Sequence, residues 1–160
     1  MSKRKAHTTA TLPVRESVES EQLGPTLLDD TLGYSLRRAQ LQVFQHFTAT
    51  MALHDIRPAQ FSALVVIEAN PGVTQSALAQ ALSIDPPRVV NLIHKLEERS
   101  LALRVRCKRD RRSHGIFLTK SGETLLAELK QLALDSDRRA TANLSDAERV
   151  QLLALLQKVY

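Results

Sequence analysis

The sequence predicts a mainly α-helical fold with one small β-hairpin in its second half. Aromatic residues make up only 4% of the 160 residues and Trp is absent, so Leu, Val, Ile and Ala must build the core. Leu and Ala favour helices, whereas β-branched and aromatic residues favour strands. Apolar residues recur at helical spacing along most of the chain, and the period changes to two near residue 101. We therefore expect a set of helices that is interrupted once by a hairpin.

A polar tail and one long helix are predicted for the first third of the chain. Residues 1–24 show no hydrophobic period, and we interpret them as a flexible tail that is basic at first and then acidic. Over residues 26–53, apolar side chains recur at spacings of three and four. A helix of that length spans about 42 Å, which suits packing against a second subunit. Residues 54–58 end in a proline and predict the end of this helix.

Three shorter helices are expected next. Residues 59–69 predict a second helix, which the Asn-Pro-Gly run at 70–72 ends, and residues 74–81 predict a third. A brief turn leads to a fourth helix over 86–99, where Asp85 is placed as the N-cap and a proline occupies the first helical position. The apolar residues of this fourth helix share one face: Val89, Leu92, Ile93 and Leu96.

The period of two predicts a β-hairpin with a basic tip. The apolar residues of its first strand alternate with small or basic ones, which is typical of a half-buried strand. These apolar residues are Leu101, Leu103, Val105 and Cys107. Residues 108–112 form a basic loop, and residues 113–118 return as the partner strand. Thr119 then begins a fifth helix that runs to about residue 140, and a capping box at 145–148 opens a last, Leu-rich helix.

Charge and composition restrict the class of protein. The net charge is +5, and residues 84–120 alone carry +6, which suggests a surface that binds a polyanion. A solvated charged face is the alternative, and charge alone does not decide between them. The single cysteine excludes an internal disulfide framework and fits a reducing compartment. No apolar run approaches the length of a membrane span, so we expect a cytoplasmic protein.

The order of the elements predicts a winged helix-turn-helix unit over residues 59–119. In such a unit the second helix enters the major groove of DNA and the first crosses the backbone. The helix over 86–99 would read bases through its free face, because Arg can bond guanine and Asn can bond adenine with two hydrogen bonds each. The candidate DNA-binding residues of these two helices are Thr74, Gln75, Ser76, Pro87, Arg88, Asn91, His94 and Lys95.

The hairpin tip is the second candidate contact. Arg109, Arg111 and Arg112 suit the negative potential of the minor groove. Asp110 does not suit a DNA contact, and we expect it to brace the tip by pairing with a neighbouring arginine. The alternative is a solvated hairpin turn.

Three stretches of the chain resemble the multiple-antibiotic-resistance regulator (MarR) family of bacterial transcription factors. The wing pattern of that family is Asp-x-Arg, five variable residues and Leu-Thr, and residues 110–119 match it without a gap. Residues 96–101 resemble the end of the family's recognition helix, although Ser100 stands where the family usually has Gly. Residues 32–38 resemble its first helix. The resemblance covers about residues 26–158.

The resemblance implies a homodimer that reads a palindrome. Residues 26–58 and 120–160 would form a helical dimerisation region, and the lobe at 59–119 would bind DNA without any cofactor. It also implies that a small ligand, often an aromatic acid, releases the protein from DNA, and we expect a repressor of this kind. A CoA thioester of such an acid would suit the basic residues Arg37 and Arg38. Such a regulator would associate with the nucleoid when bound to DNA. Whether the chain represses or activates stays open at this point.

Four residues are candidates for contacting that effector: Tyr34, Arg38, His46 and His54. Arg38 is equally interpretable as a solvated charge or a dimer ion pair, and the two histidines as surface or packing residues. Cys107 has a redox interpretation, but a lone strand cysteine is more often a small hydrophobic residue. The histidines share no metal-ligand spacing, and no catalytic motif is present, so neither a metal site nor an enzyme is expected. The alternative function is a helical protein–protein adaptor whose winged helix no longer binds DNA.

Overall fold

The computed structural model describes residues 24, 26–106 and 114–159, and within them it is mainly α-helical with one two-stranded sheet, as predicted. In chain order the elements are a 3-10 turn (Leu27–Asp30), α1 (Leu32–Ala52), α2 (Pro58–Ala69), α3 (Gln75–Leu82), α4 (Pro86–Glu98), β1 (Ala102–Arg106), β2 (His114–Leu118), α5 (Lys120–Ala140) and α6 (Asp146–Leu156). Nearly all of the predicted tail at 1–24 lies outside the described residues. So do Cys107 and the predicted wing tip at 108–112.

The prediction of one uninterrupted helix over 26–53 was wrong at its start. A separate 3-10 turn precedes α1, and Thr31 between them is extended, with φ −102° and ψ 128°. The cause is local, because the Asp29 carboxylate accepts hydrogen bonds from both the backbone N–H and the hydroxyl of Thr26. This capping box closes a short turn of its own, and the long helix starts only after it.

The short helices of the winged lobe begin and end close to the capping residues, prolines and turns that predict them. The hydroxyl of Thr74 accepts a hydrogen bond from the Ala77 N–H at 3.2 Å and so caps α3. Ser83 adopts the left-handed conformation, with φ 51°, in the turn between α3 and α4. Asp85 occupies the N-cap position of α4, but its side chain makes no capping hydrogen bond. Pro86 opens the helix as expected.

The hairpin pairs β1 with β2 in antiparallel register, from Ala102 opposite Leu118 to Arg106 opposite His114. Its orientation differs from the sequence prediction, because Leu103 and Val105 are exposed whereas Ala102 is buried. The reason is that Arg104, on the side expected to face solvent, turns back to pair with Glu97 of α4. The face that carries the arginine therefore lies against the lobe.

The core centres on α2 and is closed by the start of α5. Leu64, Ile67, Ile93 and Leu126 are fully buried in it. A Cβ at Gly122 would stand 2.0 Å from the Leu101 carbonyl oxygen, so only glycine permits this approach of α5 to the hairpin. The Thr119 hydroxyl donates to the Ser100 carbonyl at 2.6 Å and accepts from the Gly122 N–H at 3.0 Å, which fixes the predicted start of α5.

The helices outside the lobe leave apolar side chains in solvent. The capping box predicted for α6 is present, with the Ser145 hydroxyl and the Glu148 carboxylate each bonded to the other residue's backbone N–H. Beyond it, the exposed apolar residues of α1 and α6 include Leu32, Leu41, Phe44, Leu152, Leu153 and Leu155. A groove of about 290 Å³ separates α1 from α6. None of the described helices combines the length and the apolar character that crossing a bilayer requires.

Candidate nucleic-acid interface

Helix α4 has one buried face and one free face, and the free face is the candidate reading surface. Val89, Ile93 and Leu96 are fully buried, which fixes the rotation of the helix about its axis. The predicted contact residues all stand on the exposed side: Pro87, Arg88, Asn91, His94 and Lys95. Their placement follows from the apolar spacing alone, because a helix that buries one face must present the opposite face to solvent. The structure therefore brings these five predicted residues together.

Within the described part of the chain, the charged groups on this face have only weak partners. The Arg88 Nε lies 3.7 Å from the Asp85 carboxylate, and the His94 Nε2 lies 3.3 Å from the Glu98 carboxylate. All four side chains are mostly exposed, and such surface pairs contribute little to stability. Asn91 and Lys95 border a cleft of about 280 Å³ between α4 and the start of α2. These side chains are thus free to turn towards phosphates or base edges.

The three predicted contacts of α3 are placed differently from one another. The Thr74 hydroxyl is engaged in capping and lies 3.0 Å from the Ser76 hydroxyl, which is exposed. The Gln75 amide faces Arg104, and its oxygen accepts hydrogen bonds from Nε at 3.0 Å and Nη2 at 3.2 Å, an orientation assigned from the pattern of donors and acceptors. Gln75 therefore supports the hairpin from within, and Ser76 is the freest of the three.

Arg104 is a residue of this site that sequence reasoning missed. Its guanidinium contacts the Glu97 carboxylate at 3.0 Å and the Val90 carbonyl at 3.3 Å, in addition to Gln75. The side chains of Arg104 and Glu97 are only 25% and 26% exposed. Arg104 thus joins α3, α4 and β1. The strand period gave no signal for it, because the period assigned the basic positions of β1 to solvent.

The predicted wing tip lies outside the described residues. This applies to the proposed minor-groove contacts Arg109, Arg111 and Arg112 and to their proposed brace Asp110. The described ends of the hairpin, Arg106 and His114, are paired with each other across the two strands. Arg104, in the middle of β1, holds this strand pair against α4.

The four candidate effector residues do not converge on one pocket within the chain. The Arg38 guanidinium lies 5.9 Å from the centre of the Tyr34 ring and 3.9 Å from the Asp29 carboxylate. Hydrogen bonds from Thr26 and, less strongly, the charge of Arg38 lower the pKa of Asp29. His54 stands at the other end of α1, about 30 Å from Tyr34 along the helix.

The two histidines occupy separate environments. The His54 Nε2 lies 3.8 Å from the Glu128 carboxylate of α5, and His46 is exposed near the middle of α1. Neither lines the groove between α1 and α6, whose apolar walls include Leu36, Val43 and Leu156. Among residues 24, 26–106 and 114–159, no three His, Cys, Asp or Glu side chains are placed to hold a metal ion.

Comparisons with known proteins agree with this geometry. The model of the MarR family matches residues 54–113. A protein of Thauera aromatica described as a transcriptional regulatory protein for the hcr operon is 38% identical over 130 residues, which is 81% of this chain and 78% of that protein. The transcriptional repressor CouR bound to a 23-mer DNA duplex is 39% identical, covers 87% of this chain and 99% of its own, and superposes with a TM-score of 0.82. CouR bound to p-coumaroyl-CoA is 37% identical, covers 86% and 97%, and gives a TM-score of 0.76.

Proposed function

The chain belongs to the MarR family of transcriptional regulators, and we propose that it binds double-stranded DNA as a homodimer, with α4 of each subunit in the major groove. The observation that carries this proposal is the free face of α4, where Arg88, Asn91, His94 and Lys95 share an exposed side. A helix fits the major groove, and Arg and Asn are the residues best suited to distinguish guanine and adenine there. The similarity to CouR, a repressor bound to duplex DNA, supports duplex DNA as the partner of this chain.

The hairpin would extend the contact into the neighbouring minor groove. Arg109, Arg111 and Arg112 would supply the positive charge, with Asp110 as an internal brace. Arg104 would set the angle between the hairpin and α4, because it bonds Glu97 and the Val90 carbonyl on α4 itself. The whole lobe at 59–119 would then dock as one unit.

Dimerisation would use the helices outside the lobe. Residues 26–58 and 120–160 supply the exposed apolar side chains of α1 and α6 and the groove of about 290 Å³ between them. A second copy of the chain would cover these surfaces and place two lobes for two half-sites. A dimer of this kind reads a palindrome because its own twofold axis coincides with that of the operator.

The regulator would respond to a small aromatic acid or its CoA thioester and would act as a repressor that this effector releases. The complex of CouR with p-coumaroyl-CoA supports a thioester as the effector class. Tyr34 and Arg38 form the best-placed pair for an anionic group, since the guanidinium lies over the ring and the nearest described carboxylate, on Asp29, is 3.9 Å away. Thermal-shift measurements with aromatic acids and their CoA thioesters would identify a binder, because a ligand stabilises the state that binds it.

The DNA proposal is tested with a duplex that the wild-type protein selects from a random pool. Asn91→Ala is expected to weaken binding by about 1–3 kcal/mol and to relax specificity at a single base position. Arg112→Ala is expected to weaken binding to selected and scrambled duplexes alike and to reduce the salt dependence, because it removes a phosphate-directed charge. Fluorescence anisotropy at several salt concentrations measures both effects.

The matched control is Arg138→Ala, which removes an exposed arginine of α5 whose carboxylate partner Asp135 lies 3.8 Å away. It is expected to leave DNA affinity unchanged. A wild-type protein that bound no duplex even at low salt would contradict the proposal and favour the protein–protein adaptor instead.

A further inference from the structure

Arg99 connects the end of α4, the proposed DNA-reading helix, to the turn between α1 and α2. It is the C-cap residue of α4. Its guanidinium donates one hydrogen bond to the His54 carbonyl at 3.0 Å and another to the Asp55 carbonyl. The Asp55 carboxylate lies 4.0 Å from the same guanidinium. The arginine side chain is 31% exposed, so most of it is held within the protein rather than in solvent.

The two carbonyls that Arg99 bonds accept no backbone hydrogen bond within the turn. The last carbonyls of α1, on Met51 and Ala52, accept from the backbone N–H groups of residues 54–56. The carbonyls of His54 and Asp55 accept from the guanidinium. The arginine therefore supplies two acceptors of the turn with donors from the end of α4.

The guanidinium also lies just beyond the C-terminal end of α1, because it bonds the carbonyls of residues 54 and 55 and α1 ends at Ala52. The C-terminal end of a helix carries partial negative charge, which favours a cation nearby. A neutral side chain of similar length would leave this end without that cation.

The same turn is tied to the helical region on its other side. Asp55 holds the left-handed conformation, with φ 51°, which fixes the direction in which its carbonyl points. The His54 imidazole reaches α5, where its Nε2 lies 3.8 Å from the Glu128 carboxylate. The carbonyls of the turn therefore bond Arg99 at the end of α4, and the His54 imidazole brings the turn next to α5.

We propose that Arg99 is a positioning residue that fixes the angle of the reading helix relative to α1 and α5, and thereby the spacing of the two lobes in the dimer. This inference rests on the proposed function, because spacing matters only when two lobes read one duplex. The packing of α2 holds the lobe as a body, as in the edge-on contact of Phe47 with Phe61 at 5.3 Å. Arg99 is the side chain that ties α4 itself to the α1–α2 turn.

The test compares Arg99→Met, which keeps the length of the side chain but removes its donors, with Arg99→Lys, which keeps the charge but loses the planar fork. The wild-type protein first selects a duplex from a random pool. Affinities are then measured for the selected full site, for a half-site, and for full sites with one base pair inserted between the halves. The insertion moves the second half-site by about 3.4 Å along the axis and also rotates it.

Arg99→Met is expected to bind the half-site within about twofold of wild type and the full site about tenfold more weakly, because freely angled lobes lose the advantage of simultaneous binding. The penalty for the inserted base pair should shrink as well. The affinities of Arg99→Lys should lie between those of the wild type and those of Arg99→Met. Arg99→Lys should remain folded even if Arg99→Met does not. A merely structural role would lower all affinities in proportion and leave the insertion penalty unchanged, and that result would overturn the proposal.

A measurement without DNA separates this inference from the proposed function. Nitroxide labels at His94→Cys in a Cys107→Ser background report the distance between the two reading helices of a dimer. The distance distribution should be narrow with Arg99 and broad with Arg99→Met or Arg99→Lys. Equal widths of the distance distributions would overturn the role of Arg99 even if the protein binds DNA. A wild-type protein that selects no duplex would overturn the proposed function, and the widths would still decide the role of Arg99. Arg138→Met in the same background is the control and should not broaden the distribution.

Discussion

Ser100 shows how one residue closes the reading helix. It has φ 55°, and the Leu101 N–H donates to the Leu96 carbonyl at 2.8 Å while the Ser100 N–H donates to the Glu97 carbonyl at 2.8 Å. This pair of bonds is the Schellman motif, in which glycine is the favoured residue. Ser100 stands where the family usually has glycine, and its backbone keeps the left-handed geometry in spite of the side chain.

Ser100→Gly is therefore expected to stabilise the protein. A non-glycine residue in the left-handed region costs about 1–2 kcal/mol, and the greater flexibility of unfolded glycine offsets about 0.5–1 kcal/mol of that. The net gain should be about 0.5–1 kcal/mol, measured by urea unfolding. The hydrogen bond from Thr119 to the Ser100 carbonyl involves only backbone at residue 100, so the substitution leaves it intact.

A matched serine supplies the control for that measurement. Ser121 lies in the first turn of α5, is exposed, and has helical geometry. Ser121→Gly should be neutral or destabilising, because glycine disfavours a helix. Equal effects of the two substitutions would contradict the assignment of strain to residue 100.

At the scale of elements, caps and prolines predicted where the helices begin. These local signals did not predict the side-chain contacts between one element and another. Pro58, Pro86, Thr119 and Ser145 each mark a helix start within one residue of its predicted place, because caps and prolines act on their own turn. The early start predicted for α1 failed because a second local signal, the capping box of Thr26 and Asp29, competed with the apolar period.

The orientation of the hairpin lay beyond the reach of a local pattern. Leu103 and Val105 alternate as a buried set would, yet they are exposed, because the pairing of Arg104 with Glu97 turns the other face inward. The contacts of Arg99 with residues 54 and 55 span more than forty positions in sequence. A hydrophobic period or a helix cap carries no information about partners so far away in sequence. The exposed face of α4 was therefore predictable, whereas the contacts of Arg99 and Arg104 that hold α4 and the hairpin in place were not.

The support of the hairpin can be measured by a double-mutant cycle on Arg104 and Glu97. Their guanidinium and carboxylate are mostly buried and 3.0 Å apart, so we expect a coupling energy of about 1 kcal/mol in urea unfolding. Arg104→Met should cost more stability than Glu97→Gln, because it also removes the donors to Gln75 and to the Val90 carbonyl. Additive effects of the two substitutions would show that the pair does not hold the hairpin.

At the scale of the whole molecule, the candidate reading face and most of the exposed apolar surface lie in different regions. The free face of α4 lies in the lobe, whereas most of the exposed large apolar residues lie on α1, on α6 and on the segments that flank them. On α6 the apolar side chains of Leu152, Leu153, Leu155 and Leu156 form a stripe at helical spacing, and the exposed Val159 lies just beyond the end of the helix. An exposed stripe of this kind indicates an interface rather than a solvated surface, which is why we propose that a second copy of the chain covers it.

Leu153→Asp tests that interface directly. Leu153 is 59% exposed and borders the groove between α1 and α6. In a single chain, an aspartate at this exposed position should be tolerated. In the dimer it would place an unpaired charge in an apolar contact, which is strongly unfavourable. We therefore expect a folded monomer by analytical ultracentrifugation.

The same change should weaken binding to the selected full site by about 10²-fold or more, because two linked lobes bind far more tightly than one, and should spare half-site binding. Ala154→Asp is the matched control, since Ala154 is exposed on the same helix and lies on the side opposite the stripe. It should remain dimeric and bind DNA as wild type does. A Leu153→Asp protein that stayed dimeric would place the dimer interface elsewhere, and one that became monomeric yet kept full-site affinity would show that two lobes are not needed to read the DNA.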